Sequence, residues 1–164
     1  MKNTVVKQEL PIANYRDRIV EAVDNHDVVI ITAETGAGKS TQVPLYLLQA
    51  GYDMVVTQPR RLAARTVSAY VAELYGEELG LTVGYRTAVD SQDSSATRCL
   101  FCTDGLALVR ELIGANKGTL ILDEVHEWNE NMEVLVAWPW CVHHGSDVRC
   151  DLCPSCSRCG RVCG

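Results

Sequence analysis

The chain lacks an excess of positive charge. Its 164 residues carry 15 Lys and Arg against 21 Asp and Glu, a formal net charge of −6. That argues against a protein that coats nucleic acid through bulk electrostatics, while leaving room for a local cationic groove. The chain also lacks an apolar run of membrane-spanning length, and no charged-then-apolar leader with a cleavage site opens it. The reading is a soluble, intracellular, cytoplasmic protein. Internal repeats are missing as well. Cysteine is scarce in the first 140 residues, where only Cys99 and Cys102 occur, while the other six crowd between Cys141 and Cys163. A secreted disulfide scaffold would spread its cysteines along the fold, so that class is excluded.

What is present suits one α/β domain with a core, or such a domain plus a tail. Apolar residues make up 47% of the chain, enough for most of it to fold. The most informative stretch is Ala33-Glu34-Thr35-Gly36-Ala37-Gly38-Lys39-Ser40-Thr41. It follows the β-branched run Val28–Thr32, read as a strand, and precedes a helical pattern from Lys39 to about Ala50. Strand, glycine loop and helix form the context of a phosphate-binding loop. A polyphosphate must be wrapped by backbone N–H groups, so the loop needs glycines that approach closely and take positive φ. A helix starting near Lys39 points its positive dipole end at the anion. Lys39 would reach the β- and γ-phosphates, and the Ser40 hydroxyl would ligate Mg²⁺. Ala33 stands where the usual pattern has glycine. The bland alternative is a glycine turn with an incidental lysine.

Around this loop the pattern alternates. Residues 1–9 read as a flexible N-terminus. A helix over Tyr15–Asp24 carries Ile19, Val20 and Val23 at helical spacing, and Asn25-His26-Asp27 closes it with His26 as an exposed turn residue. The helix after the phosphate loop holds Pro44 early, where proline costs least, and ends at Gly51. Asp53–Thr57 is a strand whose end carries Gln58-Pro59-Arg60-Arg61. The following helix, Leu62 to about Tyr75, shows a candidate buried stripe of Ala63, Val67, Tyr70, Val71 and Leu74. Val83–Arg86 reads as a short strand, Asp90–Ser95 as a polar loop, and Thr97–Thr103 as a buried strand with Cys99 and Cys102 as small core residues. Asp104-Gly105 starts a helix, Gly118–Asp123 is another strand, and a helix from about Asn129 carries Met132, Leu135 and Val136. Nearly continuous apolar strands alternating with helices imply a parallel sheet with helices on both faces.

Leu120-Ile121-Leu122-Asp123-Glu124-Val125-His126 supplies the partner a phosphate loop needs. In parallel sheets ligands bind beyond the carboxyl ends of strands. Asp123 would hold Mg²⁺ through water, and Glu124 would orient and deprotonate an attacking water. Lys39 and this acid pair are expected to meet across neighbouring strand tips. A strand ending in a solvated acidic turn is the bland alternative.

Leu10-Pro11-Ile12, Ala33–Gln42, Thr57–Ala63, Thr103-Asp104-Gly105 and Asp123-Glu124-Val125-His126-Glu127 occur in this order. Over residues 10 to about 137 the chain resembles the DEAH-box helicases of superfamily 2, in their motifs I, Ia, Ib and II. Ala33, Ser40 and Val125 depart from the commonest residues. The resemblance implies a RecA-like P-loop NTPase domain over 10–138 that uses ATP and Mg²⁺ and acts on single-stranded RNA, with DNA not excluded by backbone contacts. It implies that Thr35, Gly36, Ala37, Gly38, Lys39, Ser40 and Thr41 bind nucleotide with Asp123. Glu124, Asp123 and Lys39 would be catalytic, and His126 would couple the nucleotide site to a second RecA-like domain. Gln58, Arg60, Arg61, Thr103 and Asp104 would lie along the strand, where arginines and hydroxyls grip phosphates without reading bases.

The resemblance further implies a strand ending in Ser-Ala-Thr and a second RecA-like domain with an arginine finger, and neither is in the sequence. The chain therefore reads as an incomplete first motor domain with weak or no hydrolysis alone, and with an exposed sheet edge. Trp138-Pro139-Trp140-Cys141 is read as breaking the last helix, and 139–164 as a Cys-rich tail. Three readings of that tail compete. Cys153, Cys156, Cys159 and Cys163 have iron–sulfur spacing. Zinc would draw four ligands from these and Cys141, His143, His144 and Cys150. A shifted reading frame would give an arbitrary continuation, and it is preferred because the change falls where Ser-Ala-Thr should approach. The alternative function is a metal-binding regulatory module on a non-hydrolysing P-loop domain.

Overall fold

Four runs of apolar residues become parallel strands: β1 (Met54–Gln58), β2 (Val83–Arg86), β4 (Cys99–Thr103) and β5 (Thr119–Leu122). A two-residue strand, β3 (Ser91–Gln92), lies antiparallel to β2 within the segment expected to be a polar loop. The sheet order is β3-β2-β4-β1-β5. This is a computed structural model, and it describes residues 10–116 and 118–143. The expected flexible N-terminus and the cysteines Cys150, Cys153, Cys156, Cys159 and Cys163, with His144, lie outside the described residues.

The helices are α1 (Arg16–Asn25), entered through a 3-10 turn over Pro11–Tyr15, then α2 (Lys39–Gln49), α3 (Arg61–Tyr75), α4 (Asp104–Leu112) and α5 (Glu130–His143). They cover both faces of the sheet. Strand residues alternate between the two. Met54, Val56, Cys99 and Phe101 join a core with Val43, Leu47, Ala64 and Val71 from α2 and α3. Val55, Leu100 and Cys102 join the opposite core with Ala107 and Leu135 from α4 and α5. Parallel strands buried on both faces under helices are the α/β arrangement expected, consistent with part of a RecA-like domain.

Several local expectations change. Val28–Thr32 is not a strand; among the described residues it enters no ladder. Its β-branched residues favour extended backbone, but a strand forms only where a neighbour takes its N–H and C=O groups. Among the described residues none is present: β5, at the sheet's edge, pairs there only with β1. Ile30 is therefore 85% exposed, and Ile31 packs partly on the core. Among the described residues β5 is an edge of the sheet, half-buried along its length where β1 is wholly buried.

The packing face of α3 is also rotated from the expected stripe. Ala64, Ser68, Val71 and Ala72 are buried, whereas Tyr70 is exposed. Small residues four apart let this helix lie close on the sheet, which leaves the bulky tyrosine outside. Pro44 is buried at the sixth position of α2, beyond the first turn, where it withholds a helical N–H. Pro139 does not end α5, which continues to His143. Met132 and Leu135, fully buried ahead of the proline, hold the helix onto the domain, and proline there removes one backbone hydrogen bond without breaking the run. Among the described residues no helix is long and apolar enough to cross a membrane.

Candidate functional site

The phosphate-loop sequence folds as its glycines dictate. Gly36 and Gly38 take φ of +82° and +94°, conformations that L side chains rarely adopt. Gly38 is the N-cap of α2. A Cβ there would stand 2.6 Å from Leu10 Cδ1, so Leu10 of the Leu-Pro-Ile segment packs directly under the loop. The carbonyl of Gly38 accepts from the Gln42 N–H at 2.8 Å and the Thr41 N–H at 3.3 Å, and the Thr41 hydroxyl donates to it at 3.2 Å. The N–H groups of Gly36, Gly38, Lys39 and Ser40 donate to no backbone carbonyl among the described residues. These free donors at a helix N-terminus suit an anion. Lys39 Nζ donates to the carbonyls of Ala33 at 2.7 Å and Glu34 at 3.1 Å, so the lysine lies back along its own loop.

The acid end is built by the sheet register. Gln58 stands opposite Thr103, and Thr57 opposite Leu122, so the next residue on each strand brings Gln58, Thr103 and Asp123 into one row at the carboxyl tips. Parity puts that row on the face covered by α2 and α3, because Val56, Phe101 and Ile121 all point there. The chain leaves α2 at Gln49 and enters β1 at Met54. So short a link fixes the C-terminus of α2 at the amino end of the sheet. An 11-residue helix spans about 16 Å and a five-residue strand a similar length. The N-terminus of α2, with Lys39, therefore lies at the same end of the sheet as the row. The expected meeting of neighbouring strand tips is corrected to this extent: the segment before the loop is not a strand, and Lys39 bonds its own loop rather than the acids.

Asp123 is held firmly. Its Oδ2 accepts from Gln58 Nε2 at 2.7 Å, and its N–H donates to the Thr57 hydroxyl at 3.3 Å. Glu124 is the only non-glycine residue with positive φ among the described residues, at +53°. Its carbonyl accepts from the Glu127 N–H at 2.8 Å, closing a tight turn that turns the carboxylate out from the strand end. The Glu124 Oε2 lies 3.2 Å from His126 Nδ1, and both side chains are partly exposed.

The strand-contacting set divides. Arg60 and Arg61 are exposed at the start of α3, and Arg60 Nη2 donates to Glu127 Oε1 at 3.0 Å. Thr103 is half-buried just ahead of α4. Gln58 and Asp104 are corrected. Gln58 is buried, and its amide is committed to Asp123. Asp104 is also buried: Asn129 Nδ2 donates to its Oδ2 at 2.9 Å, and its Oδ1 has no partner among the described residues. A buried carboxylate turned toward Asn129 is not placed to meet a phosphate backbone, and its charge would repel one.

Asn129 was missed as a site residue. Its Oδ1 accepts from the Met132 N–H at 3.0 Å, capping α5, while its amide ties α4 to the acid loop. An asparagine just before an apolar helix pattern is a legible capping signal, but the cross-link to Asp104 is not. Cys99 and Cys102 are fully buried, and burial pushes both thiols up to about 12. They are core residues as expected.

The donor set fits Mg²⁺ held with a nucleotide. One anchored carboxylate, one hydroxyl in Ser40, and a cradle of free N–H groups are what a cation bound mainly by phosphate oxygens and water requires. No cluster of three or more His, Cys, Asp or Glu placed to hold a metal by themselves exists among the described residues.

No protein-family model matches the chain. Curated proteins do. It is 44% identical over 131 residues to probable ATP-dependent RNA helicase DHX35 of Homo sapiens, covering 74% of this chain and 18% of that protein. It is 40% identical over 144 residues to ATP-dependent RNA helicase DHX33 of Drosophila melanogaster, covering 82% and 21%. It is 40% identical over 135 residues to DExH-box ATP-dependent RNA helicase DExH2 of Arabidopsis thaliana, covering 74% and 8%. The matched segment thus spans between 8% and 21% of the length of these relatives.

Proposed function

This chain belongs to the DEAH-box helicases, and on that premise we propose that it forms the nucleotide-binding and strand-gripping part of a first RecA-like motor domain acting on RNA. The observation that carries the reading is the register row Gln58–Thr103–Asp123, which brings motifs Ia, Ib and II to the end of the sheet where α2 begins. Gly36, Gly38, Lys39 and Ser40 wrap the phosphates through their free backbone N–H groups, with Thr35, Ala37 and Thr41 completing the loop around them. Lys39 exchanges the carbonyls of Ala33 and Glu34 for phosphate oxygens. Ser40 and Asp123 hold Mg²⁺, which neutralises charge on the phosphates. Glu124 takes a proton from the attacking water, and His126 relays the nucleotide state to a second domain. Arg60, Arg61 and Thr103 grip RNA phosphates. Hydrolysis and unwinding draw on that second RecA-like domain and its arginine finger.

Titration of the chain with a fluorescent ATP analogue tests this. Lys39→Ala abolishes binding, and Glu124→Gln spares it while removing residual turnover. Unchanged affinity in Lys39→Ala refutes the site. Strong RNA-stimulated turnover by the wild-type chain refutes the need for the second domain.

A further inference from the structure

We infer that Gln58 is the positioning residue for Asp123, so that the strand-gripping motif and the metal-holding acid are one mechanical unit. The inference rests on the proposed nucleotide site. The sequence pattern groups Gln58 with the arginines two and three residues on, as a nucleic-acid contact. The structure takes it out of that group: Gln58 is 2% exposed, and its Nε2 donates to Asp123 Oδ2 at 2.7 Å. A carboxylate accepts only, so the amide nitrogen must be the atom facing it.

The contact has consequences for metal binding. A carboxylate at a strand end has two free torsions, and each orientation aims its oxygens differently. Here one oxygen is fixed by Gln58, and the residue's backbone N–H is fixed by the Thr57 hydroxyl. Oδ1 is left as the oxygen available to the cation shell. Groups that orient a metal ligand in this way typically contribute ten- to a hundred-fold to metal affinity. With Asp123 acting through water, the lower end applies.

Gln58 also belongs to the chain turn that carries Arg60, and Arg60 bonds Glu127 in the acid loop at 3.0 Å. Two contacts, Gln58–Asp123 and Arg60–Glu127, therefore join the end of β1 to the loop after β5. The buried one sets the geometry of the acid; the exposed one is open to exchange with a phosphate.

The test compares wild type, Gln58→Met, Gln58→Asn and Asp123→Asn, each as the full chain, by titrating a fluorescent ADP analogue in EDTA and across a Mg²⁺ series. Methionine keeps the volume and removes the donor. Asparagine keeps the amide but withdraws it by one methylene. Both Gln58 variants should bind nucleotide as wild type does in EDTA and need about tenfold more Mg²⁺ for half-maximal enhancement. A merely structural role would lower affinity in EDTA and Mg²⁺ alike, and that result overturns the inference. So does a wild-type Mg²⁺ response in both variants while Asp123→Asn loses it, or loss of the fold in both. If Asp123→Asn itself keeps the full Mg²⁺ response, the proposed metal role of Asp123 fails instead.

Discussion

Glu124 sits in the left-handed region, at φ +53°, directly after the strand end that carries Asp123. A side chain there costs about 1–2 kcal/mol relative to glycine. Glycine loses more freedom on folding, which returns about 0.4–1 kcal/mol. Glu124→Gly should therefore be more stable than Glu124→Ala by about 1 kcal/mol, the difference of those two figures. Both variants lose the same 3.2 Å contact to His126, so their difference isolates the backbone. For a chain of 164 residues that difference corresponds to a Tm about 2–4 °C higher for glycine. The assay is thermal unfolding of the two variants by circular dichroism at matched concentration. An alanine variant as stable as the glycine variant, or more so, refutes the claim that the turn stores strain. Both variants should lack turnover, so the glycine variant would be stabilised and inert at once.

Gly38→Ala places a methyl 2.6 Å from Leu10 Cδ1 on a backbone with φ +94°; nucleotide affinity should fall about tenfold or more, and adding Leu10→Ala should recover stability but not affinity. Glu127→Gln frees Arg60 from a pair whose side chains are 74% and 37% exposed. Such pairs contribute at most about 1 kcal/mol, so single-stranded RNA should bind up to about fivefold tighter at low salt, and the gain should vanish at high salt. Cys99 and Cys102, with thiols raised to about 12, should resist alkylation at pH 8 in the folded protein and react on unfolding, as peptide mapping would read. Rapid native labelling of either would contradict their burial.

The legible part of the fold is what local pattern determines. The apolar strands β1, β4 and β5, the helices between them and the glycine loop follow from residue types and spacing, and so does the proximity of the motifs, because parallel strands share one carboxyl end. The illegible part depends on neighbours distant in sequence. Val28–Thr32 has strand composition but no ladder partner, so propensity gives way to hydrogen-bond supply. Gln58 and Asp104 look like surface polar residues in a strand-binding motif. Which way each side chain turns is decided by Asp123 and Asn129, 65 and 25 residues away. Periodicity placed α3 correctly but not its packing face, because Ala64, Ser68 and Ala72 win that face by smallness rather than hydrophobicity.

The outer flank of β5 governs how the protein behaves at high concentration. Thr119–Leu122 carries neither a charge to repel an incoming chain nor a proline to withhold an N–H from it, and such a rim accepts any extended peptide, another molecule's β5 included. Self-association should therefore begin there and propagate by backbone pairing, so that added salt does little to dissolve it and a lysine in place of Thr119, the β5 residue that joins neither core, does much.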